Sequence, residues 1–117
     1  MKTIYNSILP VKGFSAINLF GVVLIRKKYK QYEKTASMVR LLNHEAIHTA
    51  QMRELGYILF YILYFLEWLF RLATPPMKTA YKDISFEREA KRNECNLNYL
   101  NVRKHYSALK YLRDEKR

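Results

Sequence analysis

His44, Glu45 and His48 stand in the order HExxH, in a chain that holds only three histidines. Four residues of separation on an α-helix bring two imidazoles to one face about a turn apart, so His44 and His48 can grip a single Zn²⁺. Glu45 lies one step around the same helix, where its carboxylate would face the water such an ion binds. The implied chemistry is hydrolysis by metal-activated water, with Glu45 as general base.

That chemistry requires a helix through the motif, and the apolar spacing supplies one. From about Thr35, residues Met38, Leu41, Leu42, Ala46, Ile47, Ala50 and Leu55 recur at three- and four-residue steps until Gly56 offers a stop, which predicts a helix over 34–56. A second helix is expected over 57–73, apolar nearly all round and hence buried or lipid-facing, ended by Thr74-Pro75-Pro76. Loop residues are expected to about Ile84. Ser85 then serves as N-cap for a third helix over 85–112, with a break allowed along it. Ahead of these, 1–33 reads as a strand and turn region. Pro10 to Gly13 is turn-like, and Ser15 to Ile25 is β-branched and apolar around Gly21, as in a strand pair or one bulged strand. The basic run Arg26 to Lys30 reads as a solvated turn, and Arg113 to Arg117 as a frayed end. The expectation is one domain over 1–117 of mainly α (α+β) class, with three principal helices and a short N-terminal strand pair.

The chain has 117 residues, enough for one compact domain with a modest core and too few for a separate substrate domain. Cys95 is the lone cysteine and has no partner for an internal disulfide, which fits a reducing compartment. Lysine and arginine number 21 against 10 acidic residues, a balance of +11 that attracts anionic headgroups, nucleic acid or acidic peptides. Nucleic acid is disfavoured, because the cations are scattered between apolar stretches without a recognition-helix, zinc-finger or RNA-binding signature. An anionic membrane surface fits better. Tyr57 to Ala73 is interrupted only by Glu67 and Arg71, yet falls short of the roughly 20 residues of a spanning helix. No secretory signal peptide is recognised, since Pro10 and Gly13 interrupt the brief apolar start; a cytoplasmic or membrane-associated placement is expected.

Two histidines leave zinc under-coordinated, so a third protein ligand must lie elsewhere. The extended HExxHxxGxxH form is absent, with Gln51 and Glu54 where glycine and histidine would be needed. The sequence resembles the gluzincin branch of the zincin metallopeptidases, where a glutamate on a later helix completes the site, often within E-x-x-A; Glu87-Arg88-Glu89-Ala90 matches that segment. More closely, INLFG from Ile17, NHEAIHTAQ from Asn43, the aromatic run through Glu67-Trp68 and SFEREA from Ser85 resemble a group of small, uncharacterised bacterial HExxH proteins. That resemblance covers most of the chain and implies a zincin-like minimal metallopeptidase core acting on a peptide or protein of unknown identity. By the match, the metal ligands are His44, His48 and Glu87.

The other carboxylates stay open. Glu89 points some 200° from Glu87 around a helix and is expected in a surface or supporting contact. Glu94 shares the face of Glu87 and can either hydrogen-bond a ligating histidine or sit exposed. Glu67 competes as ligand or pairs with Arg71 one turn later. Asn43 and Gln51 flank the motif as orienting groups. Tyr81, Tyr99, His105 and Tyr106 are the available oxyanion donors, and the strand near Ile17 to Ile25 can align an extended peptide by edge pairing. The alternative to an enzyme is a non-catalytic, membrane-associated interaction module stapled by its metal.

Overall fold

A computed structural model describes residues 2–8, 16–74 and 79–112, so the expected Pro10–Gly13 turn, the prolines after the second helix and the charged stretch 113–117 lie outside the described residues. The fold is mainly helical with one small sheet, in agreement with the expected class. The sheet has three strands rather than two: β1 (Lys2–Asn6), β2 (Ala16–Leu19) and β3 (Val22–Arg26), in the order β1-β3-β2. β3 pairs parallel with β1 and antiparallel with β2. Phe20 and Gly21 form the two-residue connection between β2 and β3 with φ of 53° and 88°, the left-handed sign that matches strand twist in a tight hairpin. β1 escapes a sequence reading because LysThrIleTyrAsn is short and its pairing partner lies some twenty residues on.

β3 is the central strand, and its alternation sends Val23 and Ile25 into a core with Met38, where they pack with Leu41 and Leu42 of the first helix. That helix, α1 (Ala36–Glu54), begins where the Thr35 hydroxyl accepts the Met38 amide at 3.3 Å. It ends at Gly56, whose φ of 70° lets the chain reverse while the Tyr57 amide donates to the Met52 carbonyl at 2.7 Å. α2 (Ile58–Ala73) then leaves at a bend of 111°.

A second core gathers Met52, Phe60, Ile84, Phe86 and Ala108, flanked by Tyr61, Tyr64 and Trp68 of α2. The expected loop before Ile84 contains a helical turn, α3 (Ala80–Asp83), and the third helix divides. α4 (Ser85–Asn93) stops where Asn43 donates to the carbonyls of Glu94 (2.8 Å) and Asn96 (3.1 Å), drawing the chain into a turn against α1. α5 (Tyr99–Val102) and a 3₁₀ helix (Ser107–Tyr111) follow. The basic run after β3 is likewise a 3₁₀ helix, Lys27–Tyr32.

Ser85 is not the cap of α4. Ile84 precedes the helix, and both the backbone amide and the hydroxyl of Ser85 donate to the Glu67 carboxylate, each at 2.6 Å. A carboxylate from α2 thus satisfies the start of α4, where the helix dipole favours negative charge. Glu67 also lies 3.4 Å from Arg71, so its oxygens are committed to fold contacts and not to a metal.

Candidate metal centre

α1 presents His44 and His48 on one face, and α4, packed across it, presents Glu87 from its first turn. Their ligand atoms lie within 4.8 Å of one another. The two imidazole Nε2 atoms are 3.1 Å apart, and each is 3.2 Å from Glu87 Oε1. Zinc bonds of about 2.0–2.1 Å in tetrahedral geometry put neighbouring ligand atoms about 3.3–3.4 Å apart. The triangle therefore has the size of one face of a zinc tetrahedron.

The outward atoms of each ring decide what the inward atoms carry. His44 Nδ1 lies 2.9 Å from Glu94 Oε1, a carboxylate oxygen that only accepts. His48 Nδ1 lies 2.8 Å from Gln51 Oε1, and the Gln51 amide nitrogen donates to the Phe86 carbonyl (3.0 Å) and Glu89 Oε1 (2.9 Å), which fixes the amide orientation. Both Nδ1 atoms are donors, so both Nε2 atoms of the neutral rings turn lone pairs toward Glu87 Oε1. Three acceptors facing one another repel unless a metal cation or a proton sits among them. The donor set thus fits Zn²⁺.

A proton can stand in for that cation, held between His48 Nε2 and Glu87 Oε1. Burial opposes a charge on His48, but the neighbouring Glu87 carboxylate, its hydrogen bond and Glu45 outweigh that and raise the imidazole to about 9. Glu87 is also buried, yet His48 and the hydrogen bonds from His44, His48 and Tyr64 hold its carboxyl well below the usual range. Tyr64 supplies that last bond from α2, its hydroxyl donating to Glu87 Oε2 at 2.7 Å, which leaves Oε1 for the centre. Glu45 is raised above an ordinary carboxylate by burial, against the opposing charges of His48 and His44. It lines a cleft of about 760 Å³ together with His44, Tyr81 and Glu94, beside the centre rather than within it.

Of the four proposed oxyanion donors, Tyr81 alone is in that cleft. Its hydroxyl is raised by burial and by the Glu87 charge. Tyr99 donates to Glu89 Oε2 at 2.5 Å, while His105 is exposed beside Glu54 and the Tyr106 amide donates to Glu54 at 2.8 Å. Of the two contacts expected of Glu89, the supporting one is found and the surface one is not: it is fully buried, held by Gln51, Tyr99 and Arg103, and Arg103 Nε donates to it at 2.6 Å and Nη2 to Glu54 at 2.8 Å. A continuous chain thus runs from His48 through Gln51 and Glu89 to Arg103 and Glu54. The sequence does not single out Tyr64 or Arg103 as part of the site. The signal for Tyr64 is present along α2 and the residue before it, where Tyr57, Tyr61, Tyr64 and Trp68 recur every three or four residues and mark one face with polar-tipped rings. Arg103 had no comparable local signal.

No protein-family model, no curated protein and no solved structure matches this chain.

Proposed function

We propose that the protein is a small zinc-dependent metallopeptidase of zincin-like type, with His44, His48 and Glu87 as metal ligands and Glu45 as general base. The observation that carries this is the convergence of two Nε2 atoms and one carboxylate oxygen at 3.1–3.2 Å, with both Nδ1 atoms already hydrogen-bonded to acceptors. When bound, zinc supplies Lewis acidity toward water and a carbonyl oxygen. Glu45, its basicity increased by burial, takes the proton from the attacking water and returns it to the leaving amine. Tyr81 donates its hydroxyl to the oxygen that becomes anionic. β2 is an edge of the sheet, and Ala16 at its start lines the same cleft, so an extended peptide can be aligned there by backbone pairing. The gluzincin resemblance of HExxH followed by Glu87-x-x-Ala90 points the same way.

Metal analysis of the purified protein is expected to give about one zinc per chain, as in a mononuclear site. Glu45→Gln should retain that zinc and lose cleavage of a peptide library; equal cleavage by both forms would remove Glu45 as base. A metal-free protein that takes up no zinc overturns the proposal. The same network ties α1 to α4 across the centre, which also favours a second reading, a non-catalytic module stapled by its metal. Unfolding on chelation, with no cleavage of any library peptide by the zinc form, would select it.

A further inference from the structure

We infer that the outer face of α2 is a docking surface for an anionic lipid bilayer, on which the helix lies in the plane of the interface. The helix contains two charged residues, and both are turned inward. Glu67 accepts from the amide and hydroxyl of Ser85, and Arg71, 3 % exposed, donates to the Leu112 carbonyl at 2.9 Å. Every exposed residue of α2 is apolar. Ile58 (61 %), Phe65 (54 %), Leu66 (54 %) and Phe70 (60 %) stand out most, and Ile62 and Leu69 connect them at helical spacing into one stripe. The stripe continues past Leu66 and Phe70 into an apolar cleft of about 380 Å³ closed by Leu109 and Leu112 of the last 3₁₀ helix. A continuous apolar surface of this kind, rather than scattered single residues, marks a place of attachment.

Charge complementarity selects the partner. Among the described residues, Glu33 is the one acidic residue fully at the surface; the other carboxylates are buried or half-buried, several in the metal-centre network. The exterior is therefore cationic. Exposed cations stand on each element that adjoins α2: Arg53 at the end of α1, Lys82 in α3 and Lys110 between Leu109 and Leu112. An apolar stripe on an exterior whose exposed charges are mostly lysine and arginine matches the boundary between acyl chains and anionic headgroups. A second copy would instead set one cationic exterior against another, in chains each carrying +11.

The geometry favours lying on the bilayer over crossing it. Sixteen residues span about 24 Å against a hydrocarbon core of about 30 Å. No single helix among the described residues is long and apolar enough to cross a membrane, and α1 with α2 passes only as a pair bent by 111°. α1 carries the metal centre, so α2 alone is free for the interface.

The test is flotation of the full chain with vesicles of phosphatidylcholine alone and with 30 mol % phosphatidylglycerol, at about 0.15 M and about 1 M NaCl, where charge contacts are screened. The sole tryptophan, Trp68, is on α2 and reports contact directly through quenching by brominated acyl chains. Expected are binding to the anionic vesicles that survives in part at high salt, quenching of Trp68, and a fall of at least about tenfold in partitioning for Phe65→Ser with Leu69→Ser. Lys82→Glu with Lys110→Glu should weaken binding at low salt and leave the salt-resistant part. The wild-type quenching decides the matter even if the serine variant fails to fold. Absence of binding, or binding wholly reversed by salt without quenching, overturns the inference. So does a dimer in light scattering that Phe65→Ser dissolves while vesicles remain unbound.

Discussion

The interface between α1 and α4 and the outer face of α2 treat charge in opposite ways. Between α1 and α4, Glu87, Glu89 and Glu94 are all buried, along with His48 and Gln51, and each side chain finds a partner. On α2, large apolar side chains face outward while the helix's charged pair turns in. A small soluble domain ordinarily does the reverse, keeping carboxylates wet and leucines dry. Burying acids is costly unless each is held by hydrogen bonds or countercharge, so their concentration around two Nε2 atoms marks a place where charge has a task. Leaving apolar surface uncovered is equally costly in water, which marks α2 as a place where the surroundings differ. The difference separates the chemistry of the molecule from its placement.

The comparison breaks most sharply at Arg103, whose guanidinium answers both Glu54 and Glu89 in a region where the three side chains are 5 %, 4 % and 0 % exposed. Arg103→Ala strands two carboxylates and is expected to destabilise by about 3–5 kcal/mol in urea denaturation. A loss under about 1 kcal/mol would mean that water reaches this network. Tyr64→Phe is a gentler cut, since it deletes one hydroxyl that donates to Glu87 Oε2 and leaves the ring in place. Zinc affinity, measured by competition with a chromophoric chelator, is expected to fall about 10- to 100-fold, the usual effect of removing a ligand's supporting hydrogen bond. An unchanged affinity would free Glu87 from any dependence on α2.

How far each region was legible in the sequence follows from the range of the interactions. HExxH and the periodicity of Met38 to Leu55 are local, so α1 and its two histidines could be read directly. Glu87 needed a matched motif, because nothing in spacing alone says that the first turn of α4 faces His48. Glu94 was readable as a partner for a ligating histidine, from its position two turns after Glu87, and its carboxylate oxygen does lie on His44 Nδ1. The place of the break, after Asn93, was not, since it depends on Asn43, fifty residues earlier, donating to the carbonyls beyond the helix end. The apolar character of Tyr57 to Ala73 was plain, but it could not say which side of the helix the core would cover. Ser85 misled for a related reason: a serine before Phe86-Glu87 has the form of a local cap, whereas the cap arrives from Glu67 in another helix.

Acid sharpens the comparison on the buried side. The Glu54 side chain is withdrawn from water, which would raise its carboxyl, but hydrogen bonds from Arg103 and the Tyr106 amide lower it below the ordinary range. A carboxyl whose folded value lies below an unfolded value of about 4.3 stabilises fully above that pH, and the contribution fades as pH falls through the folded value. Glu54→Gln is therefore expected to be less stable than the parent near neutrality, with the gap closing below about pH 4. Urea unfolding of both proteins at a series of pH values checks it; a gap that stays constant into acid would show that Glu54 acts by shape and not by charge.

The smallest effect belongs to the outer face. Phe60 and Phe65 are in the same helix, one 3 % and the other 54 % exposed, and they separate a side chain that holds the fold from one that does not. Phe60→Ala opens a cavity beside Met52 and Phe86 and should cost about 3–5 kcal/mol. Phe65→Ser, made in water without lipid, should change stability by no more than about 0.5 kcal/mol, as surface substitutions do. Thermal unfolding of the two variants side by side measures the contrast. If Phe65→Ser were as damaging as Phe60→Ala, the exposed stripe would be covered within the protein's own assembly in solution. If it is silent, α2 contributes one face to the fold and keeps the other for something outside it.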